Sequence, residues 1–117
     1  MTGLTTHVLD LTLGKPAGEL EISFYKTDSD RRELLACFVT NADGRLDTPI
    51  FDQSNIRAGW YEIVFHVGKY LVVKHKMREA ELFFDNVAIS FQINELKQHY
   101  HVPLLLSKFG YSTYRGS

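Results

Sequence analysis

Cysteine is nearly absent from this chain: Cys37 is the only one among 117 residues. One thiol cannot close an intramolecular disulfide, so a disulfide-stapled scaffold is excluded. Cys37 sits in the apolar run Leu34-Leu35-Ala36-Cys37-Phe38-Val39 and reads as a buried small hydrophobe, not a nucleophile. An excess of charge of either sign is missing as well: 13 Lys and Arg stand against 14 Asp and Glu, a formal net charge of −1. Without a basic footprint, nucleic acid is not the expected partner. No window approaches 18 uninterrupted apolar residues, so no helix is expected to span a membrane. The opening residues, Met1-Thr2-Gly3-Leu4-Thr5-Thr6-His7, lack the basic segment and apolar stretch of a secretion signal. A cytoplasmic location is therefore the expectation, or a periplasmic one if a signal was removed.

Several motifs are also wanting. There is no Gly-x-Ser-x-Gly elbow for a nucleophilic serine. Gly14-Lys15-Pro16-Ala17-Gly18 lacks the Ser or Thr after lysine that a phosphate-cradling loop needs, and reads as a plain loop. No Cys-x-x-Cys or His-Glu-x-x-His pattern supplies a zinc ligand set. No internal repeat, low-complexity segment or domain boundary is visible, and residues 1–117 read as a single domain. A chain of this length buries about 60–70% of its unfolded surface, enough for one core.

What the chain has is short strands. Apolar residues make up 44% and aromatics 13%, a composition that suits sandwich packing. Glu19 to Tyr25 alternates polar and apolar, the mark of a half-buried strand. Leu34 to Thr40 is apolar enough for an interior strand, and Asp43-Gly44 signals a turn before Arg45. Gly59 to Val67 is the strongest strand signal, dominated by aromatic and β-branched residues. Lys69 to Glu79 alone suits a helix. Phe83 to Ile93, Gln98 to Ser107 and the tail return to strand composition, the last two joined by a tight turn around Ser107 to Gly110. Seven to eight strands at spacings of about 8–15 residues with one short helix predict an all-β antiparallel sandwich.

Three places set ionisable side chains where a sandwich would prefer neutral ones. His7 lies inside Leu4-Thr5-Thr6-His7-Val8-Leu9-Asp10, with Thr5, His7 and Leu9 on one strand face. Arg45 follows the Asp43-Gly44 turn, where a fixed guanidinium could grip a carbonyl, urea-like or carboxylate group. His99 and His101 share one face of His99-Tyr100-His101-Val102-Pro103. Two histidines fall short of a zinc site unless His7, His66 or His75 joins them, and imidazoles that titrate near neutrality suit general acid–base work better.

Together these segments resemble one family. The opening Leu4 to Asp10 with Gly14-Lys15-Pro16-Ala17, then Asp43-Gly44-Arg45, His99 to Ser107, and Phe109 to Ser117 are similar to the transthyretin-related 5-hydroxyisourate hydrolases along the whole chain. The carrier transthyretin shares the Leu-Leu-Ser and Tyr-Ser-Thr stretches but lacks the histidines and the Tyr-Arg-Gly-Ser ending. The resemblance implies a transthyretin-like fold and a homotetramer built as a dimer of dimers. It also implies hydrolysis of 5-hydroxyisourate to 2-oxo-4-hydroxy-4-carboxy-5-ureidoimidazoline in urate catabolism, with no metal and no cofactor. By motif position it carries catalytic roles to His7, Arg45, His101 and Ser117, and substrate-binding roles to Tyr114, Arg115, Gly116 and His99. One departure is Lys108, which stands where these proteins commonly have proline in the last turn. The rival reading is a transthyretin-like small-molecule carrier.

Within this set a neutral histidine, His101 or His7, would take a proton from water as it attacks a ring carbonyl. The other would protonate the leaving nitrogen, while Arg45 and Arg115 hold substrate oxygens. Strand parity poses a problem, because Tyr114 and Gly116 share one face and Arg115 and Ser117 the other. For all four to line one pocket, the tail has to leave regular strand geometry near Gly116.

Overall fold

A computed structural model describes residues 3–51, 56–95 and 97–116. The chain forms strands β1 (Gly3–Asp10), β2 (Lys15–Pro16), β3 (Glu21–Asp28), β4 (Arg31–Val39) and β5 (Gly59–Phe65), then helix α1 (Val67–Lys74) and a 3-10 turn at Glu79–Glu81. Strands β6 (Val87–Ile93), β7 (His99–Leu106) and β8 (Tyr111–Thr113) complete it. They make two four-stranded sheets, ordered β2-β1-β7-β8 and β4-β3-β5-β6. This is the expected all-β sandwich with one short helix.

The alternation foreseen in β3 and the aromatic and β-branched content of β5 are what close the core. Ile22 and Phe24 of β3 and Tyr61, Ile63 and Phe65 of β5 are buried against Leu4, Val8, Leu104 and Leu106 of the facing sheet. Phe24 and Tyr61 stack with ring centroids 5.3 Å apart and planes 4° from parallel, a contact worth about 0.5–1.5 kcal/mol beyond area burial. The Tyr61 hydroxyl donates to the Arg57 carbonyl at 2.7 Å, so its polar end is satisfied.

Three features depart from the sequence reading. The first is that β1 and β7 run parallel, with Thr5 opposite His101 and His7 opposite Pro103, while every other pairing is antiparallel. The second corrects the interior placement of Leu34 to Thr40 and of Cys37. Strand β4 is an edge strand, and Leu34, Leu35, Cys37 and Val39 are exposed. An apolar run identifies a strand but not which neighbours it has, and an edge leaves the outward half of that run uncovered. The third is the helix, which begins at Val67 and ends at Lys74, short of Glu79. Lys76 adopts φ 59°, and that left-handed backbone stops the helix.

Among the described residues no helix is long and apolar enough to cross a membrane.

Candidate functional site

The pairing of β1 with β7 decides where the polar side chains go. Leu4, Thr6, Val8 and Asp10 point into the core, and all four are buried. Thr5 and His7 therefore face outward, beside His99 and His101 from β7. Thr6 shows the inward rule at work: its buried hydroxyl donates to the Val102 carbonyl at 2.6 Å.

Arg45 reaches this face through its turn. The Asn41 side-chain oxygen accepts from the backbone N–H of Asp43 at 2.9 Å and of Arg45 at 3.2 Å, and the Gly44 N–H donates to the Asn41 carbonyl at 2.9 Å. Gly44 has φ 73°, and a Cβ there would lie 2.2 Å from the Val8 carbonyl oxygen. Only glycine allows so close an approach. The turn thus lies on β1, where the Val8 N–H donates to the Gly44 carbonyl at 2.8 Å and Arg45 bridges to His7.

Each imidazole has its own hydrogen-bonding pattern. His7 Nε2 lies 2.9 Å from the Asp43 carbonyl. A carbonyl can only accept, so Nε2 carries the hydrogen and the neutral ring keeps its lone pair on Nδ1. Thr5 Oγ1 lies 3.0 Å from His99 Nε2 and 2.9 Å from His101 Nδ1. His101 is half-buried, and burial holds its pKa below the usual histidine value, with the charges of Arg45, His7 and His99 adding to that effect. His99 Nδ1 is buried and has no hydrogen-bond partner among the described residues.

The tail meets the cluster at one point. Regular strand ends at Thr113, yet the Gly116 N–H donates to the His101 carbonyl at 2.8 Å, and the two residues form an antiparallel bridge. The irregular stretch is Tyr114–Arg115, one step before the position expected, and its cause is Pro103 rather than glycine. Continuing the β7–β8 register sets Pro103 opposite Tyr114, and proline has no N–H to give. The Pro103 carbonyl instead accepts from the Thr113 hydroxyl at 2.7 Å. Gly116 is required for a different reason: a Cβ on it would lie 2.6 Å from His101 Cδ2. Gly116→Ala is therefore expected to push the ring or the tail aside. It should lower activity by as much as about 10²-fold, the scale of a 1 Å misplacement, with little change in urea midpoint. Unchanged turnover in that variant would mean that the contact has no bearing on the site.

The structure thus brings His7, Arg45, His99, His101 and Gly116 together and leaves Arg115 apart. The Arg115 guanidinium lies 4.5 Å from the Tyr100 ring centroid, on the far side of β7, and donates to Gln98 Oε1 at 2.9 Å. Arg115 and the exposed Tyr114 line a separate cavity of about 300 Å³ with Phe91, Tyr100 and Val102. Ser117 lies outside the described residues. His66 and His75 belong elsewhere: His66 Nε2 is 2.8 Å from Ser23 Oγ, and His75 Nε2 is 2.6 Å from Asp10 Oδ2. No three His, Cys, Asp or Glu side chains among the described residues are grouped to hold a metal ion.

Sequence reasoning passed over Thr5 and Asn41. Thr5 had one available signal, its place on the same strand face as His7. Beside the cluster, Thr5, Arg45, Asp47 and Thr48 help line a cavity of about 240 Å³. The assembly offers three imidazoles, a guanidinium and a hydroxyl within reach of two of the rings on one sheet face, a set suited to activating water against a polar carbonyl.

Comparison with known proteins finds matches along nearly the whole chain. The family described as the HIUase/Transthyretin family matches residues 4–116. 5-Hydroxyisourate hydrolase 2 of Rhizobium meliloti is 46% identical over 114 residues, 97% of this chain and 95% of that one. The solved structure of Klebsiella pneumoniae 5-hydroxyisourate hydrolase superposes with a TM-score of 0.80 at 35% identity, over 100% of this chain and 94% of that chain. Sea bream transthyretin, solved in complex with thyroxine, superposes with a TM-score of 0.84 at 28% identity, over 97% of this chain and 93% of that one.

Proposed function

The chain belongs to the HIUase/Transthyretin family, and from that membership we propose that it hydrolyses 5-hydroxyisourate, opening a ring amide to give 2-oxo-4-hydroxy-4-carboxy-5-ureidoimidazoline. The observation that carries this reading is the convergence of His7, Arg45 and His101, from three distant segments, on one face of the β1–β7 pair. An apolar hormone would want an apolar channel, whereas this face suits a small, heteroatom-rich ring.

His101 is the base in this proposal. Its Nδ1 is engaged by Thr5, so Nε2 takes a proton from water as the water oxygen attacks the carbonyl carbon. Arg45 steadies the negative charge that develops on the carbonyl oxygen. The carbon–nitrogen bond then breaks, and the departing nitrogen takes a proton from His7 or from the histidinium at His101. Ser117 keeps the catalytic role and Arg115 the substrate-binding role their motif implies; Arg115 would have to act away from the histidine side chains of its own subunit.

A dimer-of-dimers homotetramer completes the proposal. The histidines are half-buried on an open sheet face, so a second subunit lying over that face would exclude water from the site. The exposed edge strands β6 and β8, with exposed Phe83, Phe109 and Tyr111 near them, suit pairing between subunits.

The direct test is ultraviolet-monitored decay of freshly generated 5-hydroxyisourate. Decay well above the buffer rate is expected; decay at the buffer rate with folded protein would favour the carrier reading. The pH profile gives a sharper check. His101 must be neutral to act, and its pKa lies below 6.5 because burial and the neighbouring positive charges disfavour the imidazolium. The acid limb of kcat/KM is therefore expected below pH 6.5, with activity lost as pH falls through that pKa. A midpoint above pH 6.5 would point to a different base.

A further inference from the structure

We propose that Asp47 is a specificity-determining residue whose carboxylate, held beside Arg45 by the Asn41 amide, accepts a ring N–H of the substrate in a cavity next to the histidines; this rests on the hydrolase reading above. The cavity exists because the chain opposite β1 is longer than the strand it faces. His7 bridges to Arg45 and Leu4 to Phe51, so three steps along β1 face six along the other segment. Residues 46–50 therefore bow away from β1, and their far end is pinned where the Ile50 N–H donates to the Leu4 carbonyl at 2.8 Å. The space left measures about 240 Å³. That is room for one small ring, below the roughly 300–1,000 Å³ of pockets for larger ligands.

The polar lining matches a ureide. Thr5, Arg45, Asp47 and Thr48 supply it, and Thr5 and Arg45 also belong to the histidine cluster. A ring whose reacting carbonyl meets His101 therefore reaches the cavity with its far edge. A ureide edge alternates carbonyl acceptors with N–H donors. Arg45 brings up to five N–H donors for the carbonyls. The ring N–H groups need an acceptor, and Asp47 is the one carboxylate among the residues that line the cavity.

The Asn41 amide fixes both members of this donor–acceptor pair. Its oxygen accepts from the backbone N–H of Asp43 at 2.9 Å and of Arg45 at 3.2 Å, which sets the orientation of the amide. Its NH2 group then points the other way and donates to Asp47 Oδ1 at 3.0 Å. One oxygen of the carboxylate is thus engaged in holding the loop, and the other is left for the ligand.

The fixed amide makes Asp47→Asn a reversal of polarity instead of a deletion. The Asn41 NH2 still requires an acceptor, so the new side chain turns its oxygen to Asn41 and its own NH2 to the cavity. A donor then faces the ring N–H, and the two repel. The contact with Asn41 survives, so the bowed segment keeps its place. Asp47→Ala gives up both the acceptor and the loop contact but sets no donor against the ring.

The test compares wild type, Asp47→Asn and Asp47→Ala as full-length proteins, by steady-state kinetics on 5-hydroxyisourate and on its mono-N-methylated forms. Asp47→Asn is expected to raise KM by about 10–100-fold, the scale of a hydrogen bond to a charged group. Its kcat should change little, because a contact at the unreactive edge is made equally in the ground and transition states. Asp47→Ala should raise KM less than Asp47→Asn does. Wild type should reject one N-methylated form by about tenfold or more in kcat/KM, and Asp47→Ala should lose that discrimination. A binding readout needs no turnover: uric acid, added as an unreactive ureide probe, should shift the backbone amide NMR signals of Arg45, Asp47 and Thr48 in wild type and not in Asp47→Asn. A KM for Asp47→Asn within about twofold of wild type, a loss confined to kcat, equal acceptance of every methylated form by wild type, or no response to uric acid would each overturn the proposal. An inactive wild type whose signals still respond to uric acid through Asp47 would defeat the hydrolase reading and leave the subsite standing.

Discussion

Replacing His101 by Asn is expected to lower kcat/KM by about 10²–10⁴-fold, the usual worth of a general base, while leaving the protein folded. The expectation of intact folding comes from the contacts. His101 faces outward from β7, and the links that hold the strand there are backbone ones: the ladder to β1 and the Gly116 N–H on the His101 carbonyl. An asparagine retains both, and its amide can still meet the Thr5 hydroxyl. What it lacks is a group that takes a proton near neutral pH. Decay of 5-hydroxyisourate followed by ultraviolet absorbance, beside a urea melt, checks both halves. Near-background decay with an unchanged melt is the expected result. Activity within tenfold of wild type would move the base to His7, whose Nδ1 lone pair is also free. A version lacking Ser117, assayed in parallel, asks whether the tail belongs to the chemistry; loss in His101→Asn alone would reduce the tail to packing.

The sequence announced its strands because strand periodicity is a property of single segments. Glu19 to Tyr25 alternates polar and apolar residues, and no partner need be known to see it. The Asp43-Gly44 turn was legible for the same reason, since Gly44 at φ 73° is a local demand. The site residues came from motif resemblance, which named His7, Arg45 and His101 without saying how they meet.

What escaped was relational. Nothing in Leu4 to Asp10 tells that it pairs in parallel with a strand about ninety residues later, and that pairing is what sets Thr5 against both late histidines. The apolar run at Leu34 to Val39 gave no sign that β4 would be an edge. Arg115 is the instructive case. Strand parity had already separated it from Gly116, and its guanidinium lies on Tyr100 and donates to the His99 backbone carbonyl at 3.5 Å, away from the histidine side chains. The motif keeps Tyr114 to Ser117 together in sequence, but a strand splits neighbours between two faces.

Breaking the buried, hydrogen-bonded pair of Asp10 and His75 is expected to destabilise the fold by about 1–3 kcal/mol, the usual cost of leaving a buried polar group without its partner. Asp10 ends β1 with its side chain 1% exposed, and His75, just past α1, is 3% exposed. The carboxylate is fully engaged: His75 Nε2 lies 2.6 Å away, the Tyr70 hydroxyl donates at 2.7 Å, and the Leu13 N–H donates to the other oxygen at 3.1 Å. Burial alone would raise the pKa of Asp10, but the hydrogen bonds from His75, Tyr70 and Leu13 outweigh it and leave the pKa lowered. A lowered carboxylate pKa contributes stability that is fully present above the unfolded value of about 3.9. That contribution is lost as pH falls through the folded pKa. Urea unfolding at fixed protein concentration should therefore show a constant deficit for Asp10→Ala above about pH 5 and a shrinking one below about pH 4. His75→Leu should cost a similar amount, because it strands the carboxylate, and adding Asp10→Leu to it should recover part of the loss, since an apolar pair leaves no buried charge. A single variant as stable as wild type would show that water already reaches the pair. The same network ties helix α1 to the strand that carries Thr5 and His7, so its loss should loosen the histidine-bearing face before the sandwich unfolds.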